Sequence, residues 1–295
     1  MSAAFNEIII IYNPISTGNS KVNAEQFAKA LNERMPNQAV TLVKSEYSGH
    51  AEKIAASYTG KKGKWLIISS SGDGGYNEVV NGVLGGKKKG VVVTSVLPSG
   101  NANDHHAAMS SEDPIDNIKN ANIETIDIIQ VTSAVNGKPW VRYAHSYAGF
   151  GITPKIGREL TVKKLNSFNE KWYVFRHLLA FKHVRLEVDG ATRRYSSLVF
   201  ATISKMSKII QLADDASQYD GKMEIYETEY RSPLGMLKLL FRASLAGLTE
   251  SKRLTTYKLR TIRPTLIQLD GEVEQLDQNT DITIRCLKQK LQTIL

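Results

Sequence analysis

Three short runs hold the residues that could handle a phosphate: Asn13-Pro-Ile-Ser-Thr-Gly18, Ser71-Gly-Asp-Gly-Gly-Tyr-Asn-Glu78 and Pro98-Ser-Gly-Asn-Ala-Asn-Asp104. The middle run lies between an apolar, β-type stretch at 65–70 and a helical stretch that begins near Tyr76. Glycine lets backbone N–H groups approach phosphate oxygens closely, and a helix start adds unpaired donors and a positive dipole end. Taken alone, the run is also compatible with an ordinary tight turn. All three runs follow β-type stretches, and in open parallel sheets ligands bind outside the carboxyl ends of the strands, so the loops can converge on one crevice. None carries the lysine of a P-loop, and no dinucleotide glycine pattern is complete. Far along the chain, Asp270-Gly-Glu272 offers two carboxylates that could accept the proton of an attacking hydroxyl. Asp-Gly equally favours a type I′ hairpin, and a hairpin tip can present a carboxylate.

The elements that must position these residues fall into two regions. Apolar runs at 8–12, 40–43, 65–70, 91–97 and 123–131 alternate with helical spacing at 22–35, 49–58 and 76–84, which predicts a parallel sheet with crossover helices. From 132 onward, runs at 140–148, 185–188, 196–203, 223–230, 257–263, 265–269 and 282–287 predict a β-rich second domain. Two apolar-faced helices interrupt it, near 168–183 and 234–248; covering the β domain is the favoured role over membrane insertion. The expected domains are 1–131 and 132–287, with 288–295 returning to the first.

Composition narrows the class. A hydrophobic fraction of 42% and a charged fraction of 23% describe a folded globular chain, and no apolar run approaches the roughly 20 residues of a spanning helix. Without a secretory pattern, the expected location is the cytoplasm. Cys286 is the single cysteine, so an intramolecular disulfide and a thiolate metal cluster are excluded, and core packing is its expected role. The net charge of +9 favours anionic partners without choosing among them. His105-His106 lacks a metal-ligand pattern, and His50, His145, His177 and His183 are isolated, so none receives a role.

The three runs together resemble the catalytic domain shared by diacylglycerol kinases, sphingosine kinases and bacterial lipid kinases. The family's Gly-Gly-Asp-Gly-Thr-x-Asn-Glu is met by Gly72, Asp73, Gly74, Asn77 and Glu78, with Ser71 for the first glycine and Gly75 for the threonine. Asn13, Pro14 and Ser16 meet the opening motif, with Thr17 before its glycine. Pro98, Gly100, Asn103 and Asp104 meet the third, with Asn101 replacing a threonine. Ala216-Ser-Gln-Tyr-Asp-Gly221 resembles a further loop, and Asp270-Gly-Glu272 matches the family's late signature.

This resemblance implies an α/β N-terminal domain with a parallel sheet, of the NAD kinase/diacylglycerol kinase type, and a β-sandwich-like second domain. ATP and Mg2+ are the implied cofactors. The implied nucleotide-binding residues are Asn13, Pro14, Ile15, Ser16, Thr17, Ser45, Ser71, Gly72, Asp73, Gly74, Gly75, Tyr76, Asn77, Glu78, Gly100 and Asn101. Asp73, Asp104 and Asp127 would organise the catalytic magnesium, and the Asp220 carboxylate with the backbone carbonyls of Ser217 and Lys222 a structural one. Asp270 and Glu272 would activate the acceptor hydroxyl at an interdomain cleft. The implied partner is a lipid at an anionic membrane surface, on the inner face, with no nucleic acid; a homodimer is left open. A kinase of a soluble acceptor such as NAD, or a nucleotide-binding regulator without catalysis, is the alternative.

Overall fold

The computed structural model describes residues 4–14, 18–99, 113–154, 183–206, 210–211, 216–230, 232, 235 and 251–294. The chain divides into two compact units, Met1–Ile126 with Gln289–Leu295, and Asp127–Lys288.

In the first unit β1 (Glu7–Tyr12), α1 (Ser20–Arg34), β2 (Val40–Lys44), α2 (His50–Thr59), β3 (Lys64–Ser71), α3 (Asp73–Gly85), β4 (Val91–Pro98) and α4 (Pro114–Lys119) follow one another. The strands lie parallel in the order β2-β1-β3-β4. Four successive isoleucines make β1 apolar on both faces, as a strand covered by helices on both sides must be. Side chains alternate along a strand, so Ile8 and Ile10 pack with Ala24, Ala28 and Leu31 of α1. Ile9 and Ile11 pack with Ala51 and Ala55 of α2 and Val79 of α3. The C-terminal residues extend this sheet: Thr293 pairs with Thr94 in parallel, and the Ile294 amide donates to the Thr94 carbonyl at 2.9 Å.

The chain enters the second unit on β5 (Glu124–Val135), which forms a hairpin with β6 (Lys138–Ala144). There follow β7 (Tyr147–Gly151), β8 (Val184–Val188), β9 (Ala191–Ala201), β10 (Lys205–Met206), β11 (Ile210–Gln211), β12 (Met223–Glu229), β13 (Lys252–Leu254), β14 (Thr256–Thr261), β15 (Thr265–Leu269), β16 (Glu272–Leu276) and β17 (Asp281–Thr293). Pairing within this unit is antiparallel. Three of its hairpins turn on Asn136-Gly137, Asp189-Gly190 and Asp270-Gly271, with φ positive at both residues of each turn, as type I′ geometry requires. The core gathers inward-facing residues of many strands, among them Phe150, Phe200 and Tyr257, whose rings meet edge to face.

The architecture is therefore the expected one, a parallel α/β unit and a β-rich unit, with local corrections. The single strand expected at 140–148 is two, β6 and β7, broken at His145-Ser146. The helices expected near 168–183 and 234–248 lie almost wholly outside the described residues. Among the described residues no helix is long and apolar enough to cross a membrane.

Cys286 is buried in the second core at 4% exposure, and burial, aided by the negative charges of Asp127 and Asp220, pushes its thiol up to about 12. A thiol in the unfolded chain loses its proton near 9.0, so unfolding releases a proton between these two values. This contribution is complete below pH 9 and is lost as pH rises towards 12, at no more than about 1.4 kcal/mol per pH unit. We expect Cys286→Ala to flatten this part of the stability–pH curve, measured by urea unfolding from pH 8 to 11. A thiol reagent at pH 8 should label Cys286 only after denaturation.

Candidate functional site

At the carboxyl ends of the first unit's strands, short polar side chains bind the expected phosphate loops together. The Asn13 amide donates to Ser20 Oγ at 3.0 Å, and Ser20 Oγ donates in turn to the Ser70 carbonyl. Ser70 Oγ donates back to the Ser20 carbonyl at 2.9 Å and shares a hydrogen bond with Ser99 Oγ at 3.1 Å. Asn23 Nδ2 reaches the same Ser99 hydroxyl at 2.9 Å, and the Ser99 amide donates to the Ser71 carbonyl at 3.0 Å. The backbone of Ser45 joins from β2 by donating to the Tyr12 carbonyl at 2.8 Å. Buried hydroxyls need partners, so this network fixes the loops after β1, β3 and β4 against one another. The sequence reading missed Ser20, Asn23, Ser70 and Ser99; the signal was the change from isoleucine to serine at the end of β3.

The glycine run itself is the start of α3. Gly72 is its extended N-cap, no side chain caps the helix, and Gly72, Asp73, Gly74 and Gly75 are all partly exposed. Unpaired N–H groups at such a start suit an anion. The rest of the run has structural work. Tyr76 is fully buried, its hydroxyl bonded to Thr94 and Thr293 at 2.9 and 3.2 Å. Asn77 is 5% exposed and accepts from Asn81 at 3.0 Å. Glu78 accepts from the amides of Gly49 and Ala51 at 2.7 and 3.2 Å, capping α2, which has no side-chain cap of its own. Asn13 and Pro14 are exposed. Ile15, Ser16, Thr17, Gly100, Asn101 and Asp104 lie outside the described residues.

The two departures from the family motif at 71 and 75 are one coupled exchange. A Cβ built on Gly75 would stand 2.5 Å from Ser71 Oγ and 2.6 Å from Ser71 Cβ. Ser71 therefore fills the space that a side chain at 75 would take, and rotating its hydroxyl leaves the Cβ clash in place. Its Oγ bonds Ser69 Oγ at 2.7 Å and donates to the Gly72 carbonyl at 3.0 Å, so a hydroxyl is retained beside the turn.

In the second unit, the hairpin between β15 and β16 places Asp270 and Glu272 in opposite environments. Asp270 is fully buried, at a φ of 47°, and its carboxylate accepts three consecutive amides: His145 at 2.6 Å, Ser146 at 3.0 Å and Tyr147 at 2.9 Å. Successive N–H groups of a strand point to alternate sides, so three can meet one carboxylate only where the strand breaks, which is why β6 and β7 are separate. The His145 imidazole lies 3.3 Å from the same carboxylate and holds Ser146 Oγ at 2.8 Å. Glu272, two residues on, is exposed. The isolated histidine to which the sequence assigned nothing is thus Asp270's neighbour.

The described acidic residues that the resemblance places at magnesium also have partners within the protein. Asp127 is fully buried and accepts the Gly221 amide at 2.5 Å, so it serves the 216–222 loop. Asp220 accepts the Lys222 amide at 2.9 Å on one oxygen and pairs with Arg253 through the other. Ser217 Oγ accepts from the Tyr219 amide at 3.2 Å. Among the described residues no group of three or more His, Cys, Asp or Glu side chains could hold a metal. Asp73, partly exposed in the first turn of α3, is the described carboxylate that could meet a magnesium ion carried by a nucleotide.

The exchange at 71 and 75 has a direct test. Gly75→Thr alone should destabilise the protein by about 1–3 kcal/mol through overpacking. Adding Ser71→Gly should recover much of this, a coupling of roughly 0.5–3 kcal/mol in a double-mutant cycle read by urea unfolding. Additive losses would show that the two positions are independent.

Residues 7–131 match the diacylglycerol kinase catalytic domain. A diacylglycerol kinase of Staphylococcus aureus is 28% identical to this chain over 272 residues, which span 86% of the chain and 80% of that protein. A diacylglycerol kinase from Bacillus anthracis shares the fold with a TM-score of 0.71 at 15% identity, over 100% of this chain and 98% of its own. Yeast NADH kinase, solved with NADH, shares it more distantly, with a TM-score of 0.51 at 10% identity over 97% and 82% of the two chains. Matching motif region, relatives along most of the chain and fold agree, and this chain resembles the diacylglycerol kinase catalytic-domain family.

Proposed function

We propose that the protein is an ATP-dependent lipid kinase of the diacylglycerol kinase type. The observation that carries the nucleotide half is the buried serine network, which ties the Asn13 loop, the Gly72–Gly75 turn and the Ser99 segment together at one end of a parallel sheet. Phosphoryl transfer asks a protein mainly for positioning and charge stabilisation, and the first-turn N–H groups and positive dipole end of α3 suit phosphate oxygens in both respects. Magnesium bound with the nucleotide would be met by Asp73 and would neutralise charge on the transferring phosphate.

The acceptor half rests on the likeness to diacylglycerol kinases and on the hairpin after β15. The lipid oxygen forms the new bond to the terminal phosphorus, the bond to the leaving ADP oxygen breaks, and the hydroxyl proton passes to a carboxylate. Asp270 has both oxygens occupied by backbone amides, whereas Glu272 is exposed on the adjoining strand. We assign the proton to Glu272, and to Asp270 the setting of the turn that presents it. The net charge of +9 suits an anionic leaflet, where such an acceptor resides.

Labelled ATP offered to the protein with diacylglycerol, a sphingoid base and NAD, the lipids in mixed micelles, decides the reading. Label in a lipid is expected. Label in NAD alone overturns the acceptor class, and no label in any acceptor overturns the kinase. Glu272→Gln should lower turnover about 10²–10⁴-fold without moving the melting temperature. Asp270→Ala should instead destabilise the fold, by roughly 1–3 kcal/mol for each orphaned amide. Unchanged turnover in Glu272→Gln would remove that residue from the mechanism.

A further inference from the structure

Hydrogen bonds within the second unit fasten the loop 216–222 at several points. The Gln218 carbonyl accepts the Asp127 amide at 2.7 Å, and its Nε2 donates to the His145 carbonyl at 2.7 Å. The Gly221 amide donates to Asp127, and the Gly221 carbonyl accepts Thr255 Oγ1 at 3.3 Å. The remaining charge is that of Asp220, and a second carboxylate, Glu224, shares its ion-pair partner. A buried or half-buried group of acids needs a cation, because like charges in poor solvent repel strongly.

That cation is part of the chain. Arg253 on β13 sits directly across from Glu224 on β12, and its Nε lies 2.8 Å from Glu224 Oε1. Another guanidinium nitrogen of the same side chain pairs with Asp220 Oδ2. Glu224 is 3% exposed and also accepts Ser251 Oγ at 2.6 Å, so the pair is anchored at its buried end. A guanidinium keeps its charge at any working pH and presents several donors in a rigid plane, which lets one side chain hold two carboxylates at once. Arg253 already meets one Asp220 oxygen and the Lys222 amide the other, so a divalent ion here would share its carboxylate with a resident cation.

We propose that Arg253 is the resident cation of this loop, joining Asp220 to Glu224 and holding residues 216–222 in place without a divalent metal. The family resemblance implied a structural magnesium at Ser217, Asp220 and Lys222; here a side chain supplies the positive charge that the ion would bring. The consequence is a second unit whose stability does not draw on magnesium, whatever the reaction requires. The inference is independent of the acceptor's identity.

Thermal unfolding without nucleotide, in EDTA and in millimolar magnesium chloride, tests this on the full chain. The wild type and Asp220→Asn should respond to magnesium alike, since any ion bound elsewhere affects both. A magnesium-dependent rise in melting temperature that Asp220→Asn abolishes would overturn the proposal. Arg253→Met should lower the melting temperature by on the order of 10 °C, because it leaves a buried carboxylate without its partner. Arg253→Lys should fall between, since one ammonium does not reproduce the two-sided fork. Arg253→Met melting with the wild type would also overturn it. Should that variant not fold, the wild-type comparison in EDTA and magnesium still decides.

Discussion

A fully buried carboxylate with no exposed surface must find all its partners inside the protein, and Asp270 finds them in three successive backbone amides. That demand shapes the second unit around it. Residues 145–147 leave the strand geometry so that their N–H groups can turn the same way, and the freed carbonyl of His145 is then taken up by Gln218 at 2.7 Å and by Thr202 at 3.3 Å. Gln218 belongs to the loop that also holds Asp127 through Gly221. A single buried charge therefore connects the β15–β16 hairpin, the break between β6 and β7 and the 216–222 loop.

The first unit solves a different problem with weaker groups. Its strands are apolar until their carboxyl ends, where β3 finishes in three serines. Apolar side chains there would pack, but they would leave the loops free to choose their own geometry. Hydroxyls are short, can donate and accept, and reach both side chains and backbone, so Ser20, Ser70 and Ser99 settle the loop positions with few rotatable bonds. Glu78 extends the arrangement to α2 by capping it from α3. The glycines of the 72–75 turn can then be bare, because their neighbours supply the rigidity.

How much of this could be read in advance follows from the range of each interaction. The parallel sheet was legible because Ile8–Ile11 is apolar without alternation, and the hairpin at Asp270-Gly271 because its turn chemistry is local. The separation of β6 from β7 was not, since nothing between Trp140 and Tyr147 signals a carboxylate arriving from residue 270. Tyr76, Asn77 and Glu78 were read with the ligand because they share a motif with Gly72–Gly75. Residues adjacent in a helix face different ways, and these three reach Thr94, Asn81 and Gly49. Asp127 and Asp220 were placed on metals by likeness, and the partners they have within the chain, Gly221 and Arg253, lie far away in the sequence or on another strand.

These departures share a physical logic. A group missing from a motif position leaves either a void or an unpaired charge, and both are costly in a packed interior. Glycine at 75 would leave a void in a turn with glycine at 71; serine at 71 fills it and keeps a hydroxyl nearby. Asp220 and Glu224 would leave two negative charges on one face; Arg253 answers both from the neighbouring strand. In each case the replacement sits beside the altered position in space, at separations of four residues and of more than thirty in the chain. A motif comparison that scores positions one at a time counts such exchanges as losses. Judged by contacts, the serine fills the space at 75 and the arginine balances the charge at 220.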